Sequence, residues 1–115
     1  MKQAITQTDL NQFTGTTRYF QHWSGILKYT DGIFFVAEAA EAYWLIDLIA
    51  SYQPLNVDLQ VWKLCKEGDF YSAECTDGND VPVIKQDLDY TDFPEDIMPF
   101  EVYVQNGVLF LPSEY

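Results

Sequence analysis

The sequence predicts an α+β domain: an N-terminal helical region with one long buried helix, packed on a C-terminal antiparallel meander sheet of about four or five strands. Three observations predict it. Ile33 to Ala50 is an eighteen-residue run in which only Glu38, Glu41 and Asp47 are not apolar, and a helix that apolar is buried over more than one face. From residue 60 onward, strand-like runs are punctuated by two-residue turn signals, Gly68-Asp69 and Asn106-Gly107. The chain has 115 residues, 48% of them hydrophobic and 17% aromatic, which suits a single domain able to bury about two-thirds of its unfolded surface. Residues 1–53 read as mainly helical and 60–115 as antiparallel sheet.

The elements follow in order. Thr8 or Asp9 caps a short helix containing Leu10 and Phe13 and ended by Gly15. Thr17 to Trp23 has the aromatic and β-branched content of a strand, with helix as the alternative, and Ile26 to Tyr29 forms a return strand after Gly25. Asp31 caps the long helix, Gly32 eases its first turn, and Pro54 terminates it. On a helical wheel Phe35, Val36, Ala39, Ala42, Tyr43, Ile46, Ile49 and Ala50 share one half. The other half mixes Glu38, Glu41, Asp47 and Ser51 with Phe34, Trp44, Leu45 and Leu48. So much apolar area on the second half calls for further chain, or a second subunit, to cover it.

A two-residue turn at Gly68-Asp69 sets Glu67 opposite Phe70, Lys63 opposite Glu74 and Trp62 opposite Cys75. Cys65 then faces Ser72, on the other side of the sheet from Cys75, so the two cysteines remain free thiols, as suits a reducing cytoplasm. Val81–Asp89 supplies the next strand, followed by a turn at Asp92-Phe93-Pro94. Asn106-Gly107, the preferred pair for a type I′ turn, sets Val104 opposite Leu109, Tyr103 opposite Phe110 and Val102 opposite Leu111. Val108–Leu111 is apolar on both faces, which marks a central strand or one covered on both sides.

Eighteen acids against six bases give a net charge of −12, with −3 carried by residues 1–60 and −9 by residues 61–115. Such a surface repels phosphate backbone and anionic membrane and attracts basic proteins, or a basic groove that normally holds nucleic acid; solubility and resistance to aggregation are the weightier reading of the same charge. No apolar core of signal-peptide length lies in Met1–Gln12. The three carboxylates of the Ile33–Ala50 run argue against a membrane span. The protein is read as soluble and cytoplasmic.

Several motifs together resemble a known family. They are Phe13-Thr14-Gly15-Thr16, Tyr29-Thr30-Asp31-Gly32, Ala42-Tyr43-Trp44-Leu45-Ile46-Asp47, Thr91-Asp92-Phe93-Pro94 and Leu111-Pro112-Ser113-Glu114-Tyr115. In this order they resemble a family of small bacterial proteins, mainly of cyanobacteria and mobile elements, known as a domain of unknown function. Where that family's pattern has Gly before Ala-Tyr-Trp, Glu41 stands here. The resemblance spans nearly the whole chain and implies one compact domain; it implies no activity.

The candidate sites are few. His22 is the only histidine, so any histidine-dependent acid–base step must use it, with Asp31 or Asp47 to orient it and Cys65 or Cys75 as the nucleophile of a Cys–His pair. An aromatic-flanked structural histidine is the weightier reading. Tyr43, Trp44 and Asp47 are candidates to line a small-ligand pocket, because a carboxylate among aromatic residues must be bonded. Asp77-Gly78-Asn79-Asp80 has calcium-type residues without EF-hand spacing and reads as a tight turn; no metal or cofactor is expected. Asp77 to Asp96 holds seven acids and one base, Lys85. It reads either as a charged sheet edge or as a docking surface for a basic partner, with Asp87, Asp89, Asp92, Glu95 and Asp96 around the aromatic anchors Tyr90 and Phe93. The favoured function is a small acidic, non-enzymatic protein-interaction module; the alternative is a small-molecule binder or minor enzyme using His22 with Asp31 or Asp47. A homodimer through the mixed helix face is compatible with either.

Overall fold

The computed structural model describes residues 6–13, 18–55, 57–88, 93 and 97–114. The chain runs α1 (Gln7–Asn11), β1 (Tyr19–Gln21), β2 (Lys28–Thr30), α2 (Asp31–Ala39), α3 (Tyr43–Ser51), β3 (Leu59–Glu67), β4 (Phe70–Thr76), β5 (Pro82–Leu88), β6 (Phe100–Gln105), β7 (Val108–Phe110) and a 3-10 turn, Pro112–Glu114.

The expected architecture is corrected in two respects. The sheet has seven strands in the order β1-β2-β7-β6-β3-β4-β5, and it is mixed, because β2 runs parallel to β7. It is therefore not a meander of four or five strands. The meander holds for β3, β4 and β5, but β6 returns beside β3, which gives these four strands Greek-key order. Residues 1–53, read as mainly helical, also hold the strand and return strand read at Thr17–Trp23 and Ile26–Tyr29, found as the β1–β2 hairpin at the far edge. Val108–Phe110 is central, as its two apolar faces required, with β6 on one side and β2 on the other.

The second correction is the long helix, which is two nine-residue helices. Ala40 N–H reaches Val36 O and Ala42 N–H reaches Ala37 O, each at 2.9 Å. Glu41 between them adopts φ +53°. This is a Schellman ending with its left-handed residue at Glu41. Glycine is the usual residue there, and with Glu in its place the sequence carries no stop signal. The break lets α2 and α3 turn their apolar sides onto the sheet separately. Ile33, Val36, Ala37, Leu45, Ile46 and Ile49 are all buried against Phe100, Val102 and Leu109. On the mixed half of the wheel Leu45 is buried and Phe34, Trp44 and Leu48 are half-buried, so further chain covers part of that side. No helix among the described residues is long and apolar enough to cross a membrane.

The caps also fall earlier than expected. Thr6, not Thr8 or Asp9, caps α1, and Asp9 completes its capping box; Gly15 lies outside the described residues. Thr30, not Asp31, caps α2 by accepting from Ile33 N–H. Gly32 is required at the next turn, because a Cβ there would sit 2.7 Å from Glu114 Oε1 and 2.8 Å from Leu111 Cδ1. Glu114 accepts from Thr30 Oγ1 at 2.7 Å and from Leu111 N–H at 2.9 Å, fastening the 3-10 turn to the start of α2. At the other end of α3, the amides of Gln53 and Gln60 bond reciprocally at 2.8 and 2.9 Å, and Trp62 Nε1 donates to Gln60 Oε1.

Candidate functional site

The β1–β2 hairpin projects its tip, residues 22–27, against α3. His22 N–H donates to Leu27 O at 2.8 Å and Gly25 N–H to His22 O at 2.9 Å. Gly25 takes φ +77°, a conformation that L side chains resist. The tight tip turns His22 inward, where it is 6% exposed, and leaves Trp23 84% exposed.

Three side chains then converge. His22 Nε2 lies 2.6 Å from Asp47 Oδ1, and Trp23 Nε1 donates to the same oxygen at 3.2 Å. On the other ring nitrogen, Nδ1, Ser24 Oγ stands at 2.7 Å and Ser24 N–H donates at 3.2 Å. A backbone N–H can only donate, so Nδ1 is the acceptor and the ring proton sits on Nε2, facing the carboxylate. Of the two carboxylates offered as partners for His22, the fold selects Asp47. Asp31 sits in the first turn of α2 beside Glu114.

Asp47 is part of a wider acidic and aromatic surface. Tyr43, one turn earlier on α3, is exposed, and its hydroxyl donates to Glu38 Oε1. The Tyr43 phenol is pushed well above its ordinary value, by burial first and then by the bond to Glu38. The Tyr29 phenol on β2 is raised above its ordinary value by burial and then by the charges of Glu38 and Asp47. Glu38, Glu41, Tyr43 and Asp47 are exposed. Trp44, the third residue of the expected pocket, is half-buried and packs against the core, so only Tyr43 and Asp47 share this surface.

The chain Ser24–His22–Asp47 has the connectivity of a nucleophile, base and orienting carboxylate. The backbone N–H groups around it are committed elsewhere: Ser24 to Nδ1, Gly25 to His22 O, and Ile26 to Ser24 Oγ at 3.3 Å. An acyl-transfer site needs such donors aimed at the developing oxyanion. What the network does locally is fix the hairpin tip and hold the Trp23 indole by its edge.

The other candidates fall in different places. Of the acidic docking residues, Asp87 is exposed on β5. Asp89, Tyr90, Asp92, Glu95 and Asp96 lie outside the described residues. Phe93, expected as a surface anchor, is 2% exposed and packs on Phe100 with ring centroids 4.9 Å apart; its apolar area is spent on the core. Cys65 and Cys75 are free thiols on opposite sides of the sheet, with Lys63 opposite Glu74 and Trp62 opposite Cys75 as the turn dictated. Burial pushes the Cys75 thiol up to about 11, and burial, then Glu74, raises Cys65, so neither is an activated nucleophile. Asp77 Oδ1 accepts from Asn79 and Val81 N–H at 2.9 and 3.2 Å, closing a tight turn. Among the described residues no group of three or more His, Cys, Asp or Glu has a metal-holding arrangement.

Trp23 and Ser24 were not singled out from the sequence. The signal present there was the string His22-Trp23-Ser24-Gly25, whose glycine marks a turn and whose serine can bond back to the histidine. No curated protein and no solved structure matches the chain. The model of a family of unknown function, DUF6876, matches residues 4–115. With that match spanning almost the whole length, the chain belongs to DUF6876.

Proposed function

We propose that this protein is a non-enzymatic interaction module that docks a basic segment of a partner protein against Trp23, Tyr43 and the carboxylates Glu38, Glu41 and Asp47. The observation that carries this reading is Trp23, 84% exposed yet held by its indole N–H on Asp47. A large aromatic side chain fixed before contact loses little entropy on binding, and Trp is among the residues most enriched at interface hot spots. The Trp23 ring tilts on the His22 imidazole with centroids 5.1 Å apart, and its large exposed area can take a Lys or Arg side chain whose charge the neighbouring carboxylates complement. The −9 charge of residues 61–115 adds long-range attraction for a basic partner rather than the anchors themselves. The free thiols fit a cytoplasmic setting.

The test is a titration of the ¹⁵N-labelled protein with Lys/Arg-rich peptides, read at the three indole N–H resonances. The expected result is a salt-sensitive shift of Trp23 with Trp62 unmoved, and a loss of at least about 2 kcal/mol of binding in Trp23→Ala. Peptide binding equally strong in Trp23→Ala and Asp47→Asn would sink the proposal.

The 2.6 Å His22–Asp47 contact, with Ser24 on the far nitrogen, favours one second reading, a minor hydrolase or small-molecule site at Ser24. Hydrolysis of activated esters that disappears in Ser24→Ala and His22→Ala supports it. Equal rates in both variants and the wild type remove it.

A further inference from the structure

The side of the sheet away from the helices carries one row of charges across four neighbouring strands. The register sets Glu101 on β6 beside Lys63 on β3, Lys63 beside Glu74 on β4, and Glu74 beside Lys85 on β5. The row therefore reads acid, base, acid, base. Lys63 Nζ stands 4.0 Å from Glu101 Oε2, and Lys85 Nζ 3.8 Å from Glu74 Oε1. Toward β7, half-buried Val61, Tyr103 and Phe110 form an apolar row beside the charges, with Tyr103 and Phe110 edge to face at 5.8 Å.

An alternating row with an even number of members is complementary to its own reverse. Turned about a two-fold axis that runs along the strands between β3 and β4, the row lays Lys63 over Glu74 of a second copy and Glu74 over that copy's Lys63. The same rotation lays Glu101 over Lys85 and Lys85 over Glu101. Every charge meets its opposite, as a self-complementary isologous interface requires. The strands of the two sheets stay aligned, one of the two ordinary ways in which sheets pack face to face.

The chain's overall charge makes this side the place where two copies can meet. Like charges repel two molecules of net charge −12 over most of their surface. Lys28, Lys63 and Lys85, half of the six basic residues, share the face. We propose that the outer sheet face is a homodimer interface, with the Glu101–Lys63–Glu74–Lys85 row fixing its two-fold register. The same rotation lays Val61 of the apolar row over Thr76 of the second copy, and the charges supply orientation and reject other registers. The axis lies away from the β1–β2 hairpin, so each copy keeps its Trp23 surface and the dimer presents two.

The experiment is sedimentation equilibrium on the wild type, Lys63→Glu, Glu74→Lys, and an equimolar mixture of the two variants, with folding of each checked by circular dichroism. The expected wild type is a dimer and each single variant is a monomer, because each homodimer would face two like-charged pairs. The mixture regains the dimer, since the acid introduced at position 63 of one variant meets the base introduced at position 74 of the other, and the second contact remains wild type. A monomeric wild type at its highest soluble concentration overturns the proposal. So do variants that stay dimeric, or a mixture of folded variants that stays monomeric. Where either variant fails to fold, Lys85→Glu and Glu101→Lys at the ends of the row make the same complementary pair and decide by the same outcomes.

Discussion

Replacing Asp47 by Ala removes the oxygen on which two donors of the hairpin tip converge, His22 Nε2 at 2.6 Å and Trp23 Nε1 at 3.2 Å. The two losses are unequal. Trp23 is 84% exposed, so its indole N–H exchanges the carboxylate for water at almost no cost. The His22 side chain is 5% exposed, and its Nε2–H is left without an acceptor. A buried donor so stranded costs about 1–3 kcal/mol. The Asp47 side chain is 54% exposed, so water can enter where it stood, and the lower half of that range, about 1–2 kcal/mol, is expected. For a chain of this size that amounts to a fall of about 4–8 °C in Tm. Asp47→Asn keeps an acceptor oxygen and should lose less than half as much. Thermal unfolding followed by circular dichroism reads both, and a double-mutant cycle with His22→Phe isolates the pair. A loss below about 0.5 kcal/mol for Asp47→Ala, the size of an ordinary surface change, would refute the idea that this carboxylate holds the tip. So would equal losses in the presence and absence of His22.

Two further outcomes are expected. Glu41 takes φ +53° at the Schellman ending of α2, where a side chain costs about 1 kcal/mol and Gly costs little; Glu41→Gly should raise the urea midpoint slightly, whereas Gly costs stability at ordinary exposed helix positions, and a clear drop would contradict the left-handed assignment. Burial raises the Glu114 carboxyl above its ordinary value against the lowering pull of its bonds from Leu111 and Thr30, so the folded chain holds that proton more tightly than the unfolded chain. The resulting stabilisation is fully present below the ordinary Glu value and is lost as pH rises through the raised folded value. Glu114→Gln should flatten this stretch of the stability–pH curve while keeping the Thr30 and Leu111 bonds, and an unchanged curve would show that another group sets it.

The local pairings were legible because short turns fix them. Gly68-Asp69 and Asn106-Gly107 each join adjacent strands through two residues, so the register of β3 with β4 and of β6 with β7 follows from counting. The break at Glu41 was not legible, because Glu stands where a stop signal would normally be Gly. The parallel β2–β7 pair was invisible for another reason. It joins Lys28 to Val108, and no turn or local pattern marks a pairing between segments so distant in sequence. The candidate site was half legible. His22 stood out as the single histidine, and Asp47 as a carboxylate among aromatic residues, but the choice of Asp47 over Asp31 depended on how the hairpin tip meets α3. Phe93 shows the converse error, since an aromatic residue among acids looks like a surface anchor until its neighbours in space are known.

By itself the sequence determined the charge balance, the apolar content of the helical segment, the hairpin registers and the free state of the two thiols. All of these depend on composition or on residues a few positions apart. Tertiary structure alone decided that β6 returns beside β3, that the β1–β2 hairpin joins the sheet in parallel with β7, and that Trp23 is exposed while Phe93 is buried. Those outcomes depend on which distant surfaces remove the most apolar area from water, and no short stretch of chain encodes that comparison.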